Sequence, residues 1–214
     1  MTVDVGSTAQ QPRRRRRGVR PSQPTPRSRL VVLAAGVGDV VTSTGGWLAD
    51  RALAGWDIEV LVPASRLGHT DVLALQILGA TVSDLDEALD PTLEAALQTR
   101  TAAAVSVSAD LFVTDSRVRA RVLHAYDRDI AEITVWGQEI PTELTARFSS
   151  VEHVSSAAAQ AFKRHSLAAI ACQTPVSVTE GFCAGARRGI GMDLRPVGEA
   201  YATEDGLRGR AGGR

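Results

Sequence analysis

Runs of apolar residues alternate with stretches of helical periodicity along most of the chain. Residues 30–35 form a continuous apolar run, which is typical of a central parallel strand covered on both faces. Apolar positions then recur at helical spacing over residues 43–55, where Ser43 or Thr44 can cap the helix. Residues 57–62 alternate and predict a second strand. A strand, a helix and a strand in so short a stretch predict a right-handed parallel crossover.

The same alternation continues towards the C-terminus. We predict further helices over residues 71–78, 92–99, 117–129 and 155–172, and further strands over residues 80–85, 102–107, 111–113 and 133–136. The predicted buried face of the last helix comprises Ala158, Ala161, Phe162, His165, Ala169 and Cys172. Glycine-rich irregular chain is expected from there to Tyr201. This order of elements favours an α/β fold, a Rossmann-like three-layer sandwich with a mostly parallel sheet.

Charge is unevenly distributed, although the formal net charge is zero. Residues 1–29 carry eight Arg against one acid, whereas the rest of the chain carries 16 basic and 23 acidic residues. Residues 1–28 nearly lack large apolar side chains, so we expect a disordered tail, followed by a single α/β domain over residues 29–203 and a flexible C-terminus over residues 204–214. The five consecutive Arg at residues 13–17 could contact nucleic acid or an anionic membrane, but we favour a solvated tail without a dedicated partner.

We expect this to be a cytoplasmic bacterial protein. No apolar run approaches the length of about 18 residues that a membrane span needs. Prolines rather than an apolar core follow the Arg run, so we expect no secretory signal. Cys172 and Cys183 form no C-x-x-C pair, and we expect two free thiols. A single Lys against 23 Arg, with abundant Ala and Gly, indicates a high-GC genome.

The loop over residues 36–44 is the first place to expect a site, because ligands bind at the carboxyl ends of strands in an open parallel sheet. Gly36 and Gly38 fit the first two positions of a dinucleotide fingerprint, but Val41 occupies the third. The second strand ends in Val62 without an acid that could bind a ribose. A phosphate-binding P-loop needs a Lys after the glycines, and this stretch has none, so both nucleotide motifs are matched only weakly.

Three blocks of the sequence resemble one known family. The glycine pair Gly45-Gly46 stands six residues after Asp39, and Lys163, Leu167 and Gln173 keep the spacing of a late helical block, K-x-x-A-L-x-x-H-x-S-Q. Two short stretches, 188–189 and 198–201, match a closing segment of the form R-x-x-G-x-x-x-G-x-x-x-A-E-A-F. These blocks resemble the PIG-L/LmbE-type N-deacetylases, zinc enzymes that remove acetyl groups from N-acetylglucosaminyl conjugates. The resemblance covers about residues 30–201 and implies the fold of that family.

The resemblance also shows what this sequence lacks. In that family zinc is held by His, Asp and His, and a second Asp is the general base. Carried over by position, the first His falls on Gly36, the base on Gly38, the metal-binding Asp on Asp39 and the second His on Ser116, next to a retained Asp115. The candidate ligand loop is therefore Gly36, Gly38, Asp39 and Asp115, with Asp39 as a residual metal ligand. One carboxylate holds zinc poorly, so we expect no cofactor unless the site is rebuilt.

We therefore predict a non-catalytic relative of these deacetylases that binds a sugar conjugate or a protein partner. Two alternatives stay open. An active metal-dependent N-deacetylase could rebuild the site from Asp39, Asp115 and a His such as His69. A nucleotide- or S-adenosylmethionine-binding Rossmann module could use Gly36 and Gly38. Asp39 could also do no more than cap the following helix, and we expect His69, His124, His153 and His165 to be structural.

Overall fold

The computed structural model describes residues 27–98, 103–185 and 193–197. The strands are β1 (Arg29–Leu33), β2 (Asp57–Val62), β3 (Ala80–Asp84), β4 (Ala103–Ser108), β5 (Glu132–Trp136), β6 (Phe148–Val154), β7 (Thr179–Gly185) and β8 (Arg195–Pro196). The helices are α1 (Val37–Leu53), α2 (His69–Ile77), α3 (Leu85–Gln98), α4 (Ala109–Thr114), α5 (Ser116–Asp127), α6 (Thr142–Thr145) and α7 (Ala157–Ala169), and a 3-10 turn spans Ala64–Arg66. The predictions for residues 1–26 and 204–214 and the two closing matches at 188–189 and 198–201 lie outside the described residues.

All eight strands form one sheet in the order β3-β2-β1-β4-β5-β7-β6-β8. The first five strands in this order are parallel, whereas β7 runs antiparallel to β5, β6 antiparallel to β7 and β8 antiparallel to β6. The β1–α1–β2 unit places two parallel neighbours side by side, with Leu30 opposite Ile58. The predicted α/β fold with a mostly parallel sheet is confirmed.

Helices cover the sheet on both faces, which gives three layers. Leu30 and Val32 of β1 are fully buried in a cluster that includes α1, α2 and α7. Val31 and Leu33 point to the other face and belong to a cluster that includes α3, α4 and α5. A strand buried on both faces is continuously apolar, which explains the run from which β1 was predicted.

Helix α1 begins at Val37, so its predicted start at Ser43 was wrong. Gly36 is the N-cap residue in an extended conformation, and neither Ser43 nor Thr44 caps the helix. Val37, Val40 and Val41 are buried in the same cluster as the rest of the helix. Burial of these three side chains outweighs the low helix propensity of the neighbouring glycines. The predicted loop over residues 36–44 is therefore mostly helix.

Two predictions between β3 and α5 were also wrong. Helix α3 begins at Leu85 rather than residue 92, with Pro91 inside it, because Leu85, Leu89 and Leu93 are buried at helical spacing. The segment 111–113, predicted as a strand, belongs to α4. Ser108 caps α4 by accepting a hydrogen bond from the Leu111 N–H at 3.3 Å.

The described part of the C-terminal third contains more strands than the sequence indicates. Strand β6 was not predicted, and the chain expected to be irregular up to Tyr201 contains β7 and β8. Strand β6 reads FSSVEHV, without an apolar run, and it pairs with β7 over seven residues. Its strand conformation therefore depends on tertiary pairing rather than on a local pattern. Within the described ranges, no helix combines the length and the apolar character needed to cross a membrane.

Candidate functional site

The predicted ligand loop forms the start of α1, directly after β1. Gly36 caps the helix, and Gly38 and Asp39 lie exposed in its first turn. A Cβ atom built on Gly36 or Gly38 would meet no heavy atom of the described residues within 4 Å, its chain neighbours and the helix backbone aside. Both glycine positions therefore have space for a Cβ atom. Asp39 lies in the first turn of α1, where a carboxylate interacts favourably with the positive end of the helix dipole.

Asp115 lies between α4 and α5, beyond the carboxyl end of β4, which is the direct neighbour of β1. Its Oδ1 accepts hydrogen bonds from the backbone N–H groups of Arg117 at 2.9 Å and Val118 at 3.4 Å, so it caps α5. The Arg117 guanidinium donates to Asp115 Oδ2 at 2.7 Å and also to Asp86. The side-chain hydrogen bond from Arg117 is the main reason why the pKa of Asp115 lies below its ordinary value. Both oxygens of the Asp115 carboxylate are therefore used in contacts that stabilise the start of α5.

The residues present do not fit the zinc ion of the resembled family. Gly36 and Gly38 offer no ligand or base, and Ser116, the first residue of α5, offers only an exposed hydroxyl. Across residues 27–98, 103–185 and 193–197, no group of three His, Cys, Asp or Glu side chains is arranged to hold a metal ion. A zinc site needs three protein ligands, and Asp39 alone cannot replace them.

The four histidines lie apart from the start of α1 or point into solvent. His69 is the exposed first residue of α2, and His124 is exposed on α5. His165 was predicted on the buried face of α7 but is exposed. His153 is buried on β6, where Nε2 lies 2.9 Å from Asp50 Oδ2 and Nδ1 lies 2.8 Å from the carbonyl oxygen of Asp193.

The predicted buried face of α7 was wrong at Ala158, Phe162 and His165, which are exposed, whereas Ala169 and Cys172 pack partly buried against the core. The helix buries Lys163 instead of Phe162. Lys163 is only 1% exposed, and its Nζ donates to Glu180 Oε1 at 2.5 Å and to the Thr42 carbonyl oxygen at 2.7 Å. The two oxygens of Glu180 also accept from the backbone N–H groups of Gly46 at 2.8 Å and Trp47 at 2.7 Å. The ion pair therefore reaches the middle of α1 and ties it to α7 and β7.

The glycine pair of α1 makes room for this ion pair. A Cβ on Gly46 would lie 2.1 Å from Ser155 Oγ, and one on Gly45 would lie 3.2 Å from Lys163 Cγ. The match of Gly45-Gly46 and Lys163 to the resembled family thus marks a packing element of the fold. The signal in the sequence was the Lys itself, the only one in a chain with 23 Arg.

A second buried network lies at the far end of α1. The Arg51 guanidinium stacks between Trp47 and Trp56, with its Cζ 4.3 Å and 4.1 Å from the ring centroids. It also donates to Asp193 Oδ2 at 2.8 Å and to Glu132 Oε1 at 3.0 Å. Arg51 is twelve positions after Asp39, so roughly 18 Å of helix separates this network from the candidate site.

Both carboxylates that hold the β6–β8 region to α1 are ionised at neutral pH. Burial raises the pKa of Asp193, but hydrogen bonds and charge from Arg51 outweigh it, so the net shift is downward. Burial likewise raises the pKa of Asp50, and hydrogen bonds from Ser156 and His153 outweigh it. Neither group lies near Asp39, so this network serves structure rather than the candidate site.

Solved structures share this fold at low sequence identity. A deacetylase of the teicoplanin biosynthesis pathway, in complex with teicoplanin, is 12% identical, with 73% of this chain and 97% of that chain covered and a TM-score of 0.53. The zinc-inhibited form of a teicoplanin deacetylase is 11% identical, with 80% of this chain and 100% of that chain covered and a TM-score of 0.52. No protein-family model matches the chain, and no curated protein sequence matches it. The likeness shows that this chain shares the fold of the teicoplanin deacetylases, in agreement with the predicted Rossmann-like α/β sandwich.

Proposed function

We propose that this protein is a non-catalytic relative of the N-acetylglucosaminyl-conjugate deacetylases, which binds a sugar conjugate or a protein partner without hydrolysing it. The proposal rests on one observation above all. The fold is that of deacetylases, yet glycine, glycine and serine stand at residues 36, 38 and 116, where the resemblance requires two zinc ligands and the general base. Glycine can neither bind a metal through its side chain nor accept a proton.

The state of the two retained acids supports the same proposal. Asp115 caps α5 and pairs with Arg117, so recruitment to a metal would cost the helix its cap. Asp39 is exposed in the first turn of α1, a position that also suits a carboxylate with no ligand at all. A rebuilt site of Asp39, Asp115 and His69 would need Asp115 to leave these contacts.

A binding role is favoured by the space around Gly36 and Gly38. Among the described residues, a Cβ atom built on Gly36 or Gly38 would meet no atom within 4 Å beyond its own stretch of chain. Backbone N–H groups of the first turn of α1 lie at the same place and are free of intrahelical partners by the geometry of a helix start. A ligand with acceptor oxygens, such as a sugar conjugate, suits such a surface.

The proposal is tested by hydrolysis of N-acetylglucosamine conjugates with zinc supplied in excess. We expect product formation by the full chain to equal that of the Asp39→Ala variant, because neither protein can activate water. Zinc-dependent hydrolysis that the Asp39→Ala change abolishes would instead establish the active, rebuilt enzyme. A thermal shift with a nucleotide or with S-adenosylmethionine, but not with sugar conjugates, would favour the Rossmann-module alternative.

A reconstructed site provides the positive control. The variant Gly36→His, Gly38→Asp, Ser116→His restores the residues that the resemblance places there, and a Cβ atom at either glycine position meets no described atom within 4 Å beyond its own stretch of chain. We expect this variant to bind zinc at least about tenfold more tightly than the natural chain. The same triple variant with Asp39→Ala should lose that gain, which separates a real site from zinc bound elsewhere.

A further inference from the structure

An apolar patch lies where α1, α2 and α7 meet at the surface. Three large apolar side chains are exposed there, with Leu53 at 58%, Leu73 at 50% and Phe162 at 40%. Leu53 and Phe162 line a groove of about 320 Å³, together with Ile77 of α2 and the small residues Ala49, Ala52 and Gly79. Leu73 lies one helical turn before Ile77 and extends the patch along α2.

The exposure of Phe162 follows from the way α7 is fixed. Adjacent positions on a helix point about 100° apart, and the buried Ala159, Lys163 and Leu167 set the inward face of α7 so that Phe162 falls at its edge. The Lys163–Glu180 pair and the close approach at Gly45-Gly46 determine this rotation. The patch is therefore built into the packing of the domain, and it is not a side chain that could turn inward.

The patch carries no charge, which restricts what can cover it. Gln76 is the polar residue of the groove lining, and the part of the lining that the structure describes contains no Asp, Glu, Lys or Arg. The groove between α3 and α5, by contrast, is lined by Asp86, Asp90, Arg117 and Arg121. The described lining of the patch therefore offers no charged side chain that could form an ion pair with a binding partner. A membrane-binding surface would carry Lys or Arg around its apolar centre, and α7 supplies neither there, because Lys163 is buried and Arg164 lines another groove.

We propose that this apolar patch is the two-fold interface between two copies of the chain. In an isologous interface a patch meets its own copy, so a charged centre would face like charge, whereas an uncharged one avoids that repulsion. The patch also offers both halves of a self-complementary contact. Phe162 and Leu53 are large exposed side chains, and Ala49, Ala52 and Gly79 leave room for a large side chain of the second copy.

The association state of the full chain tests this proposal by sedimentation equilibrium over roughly 1–100 µM protein. We expect a mass of about twice the 22.6 kDa of one chain. The separate variants Leu53→Glu and Phe162→Glu place a charge against its copy, and each should raise the dimer dissociation constant about 30-fold or more. The matched control is Val113→Glu, since Val113 is 61% exposed on α4, whose buried residues pack on the opposite face of the sheet.

Val113→Glu should leave the dissociation constant unchanged, and circular dichroism should show that all three variants stay folded. A monomer at every concentration overturns the proposal, whichever other protein the patch then binds. A dimer that survives both Leu53→Glu and Phe162→Glu overturns it as well, because another surface must then join the copies. Loss of the dimer in the Val113→Glu variant also contradicts it. Because both substituted side chains are exposed, unfolding of one variant leaves the other as the test.

Discussion

Lys163 and Glu180 are an ion pair placed inside the protein rather than on its surface. Both side chains are almost fully buried, and together they satisfy one carbonyl oxygen and two N–H groups of α1. Taking two charges out of water costs several kcal/mol each, and good mutual geometry is needed to offset that cost. Each partner therefore makes the burial of the other tolerable.

Removal of one partner should expose this dependence. We expect Lys163→Met to lower the free energy of unfolding by about 3–5 kcal/mol, because it leaves Glu180 charged and buried without its cation. The double variant Lys163→Met, Glu180→Gln should cost less than the sum of the two single changes. Urea denaturation measures both, and Arg164→Met, an exposed neighbour, is the control with an expected change within about 0.5 kcal/mol. Additive effects would show that the two residues do not act as a pair.

Two glycines of α1 should respond in opposite directions to the same substitution. Gly46→Ala puts a Cβ 2.1 Å from Ser155 Oγ and should destabilise the protein by about 1–3 kcal/mol. Gly38→Ala adds a Cβ atom that meets no described atom within 4 Å beyond its own stretch of helix, and it should stabilise the protein by up to about 1 kcal/mol through the higher helix propensity of Ala. Urea denaturation of both variants is the measurement. An equal effect at the two positions would contradict the packing role given to Gly46.

At the scale of elements, the start of α1 shows where a local pattern fails. Glycines at 36 and 38 favour a loop by propensity, and only the burial of Val37, Val40 and Val41 against the sheet makes the segment helical. Strand β6 was not predicted for a related reason: the residues of β7 with which it pairs lie 25 or more positions away in the sequence. The apolar β1, β2 and β5 and the amphipathic α5 were predictable because their local patterns agree with their tertiary environment.

The link between α1 and the β6–α7 corner should weaken in acid. The pKa of Asp50 is lowered in the folded protein, so the carboxylate stabilises the fold above its ordinary pKa of 3.8, and this contribution disappears as pH falls through the still lower folded value. Asp50→Asn should therefore destabilise clearly at pH ~7 and progressively less below pH ~4. Urea denaturation of both proteins across this range is the measurement. A difference between them that stays constant in acid would contradict the assigned role of Asp50.

At the scale of the whole molecule, the fold was more predictable than the site. Packing can be recognised in the sequence, because a buried strand such as β1 requires an apolar run and the close helix contact at Gly45-Gly46 requires small residues. The role of Asp115 could not be predicted in this way, because an Asp in the sequence can be either a metal ligand or a helix cap. Its hydrogen bonds from Arg117 and Val118 in the structure decide for the helix cap. The sequence also did not predict which face of α7 is buried, because a Lys on a helix normally points to solvent.

The Arg-rich tail stays a prediction at this scale. Residues 1–29 carry eight Arg and one acid, and the remainder of the chain is net acidic. The hypothesis that this tail binds nucleic acid predicts that the full chain binds duplex DNA with an affinity that falls steeply with salt, and that a shortened chain beginning at Arg29 binds none. Fluorescence anisotropy at two or more salt concentrations, with anionic vesicles in parallel, measures this. Salt-independent binding, or equal binding by the shortened chain, would contradict the hypothesis.

The most direct test of a non-catalytic role is the zinc content of the purified full chain after dialysis against a weak chelator, measured by inductively coupled plasma mass spectrometry. Gly36, Gly38 and Ser116 leave Asp39 as the one residual ligand, so we expect far less than one zinc per chain. The reconstructed variant Gly36→His, Gly38→Asp, Ser116→His should retain zinc under the same conditions. One tightly held zinc per natural chain, lost on Asp39→Ala, would contradict the account.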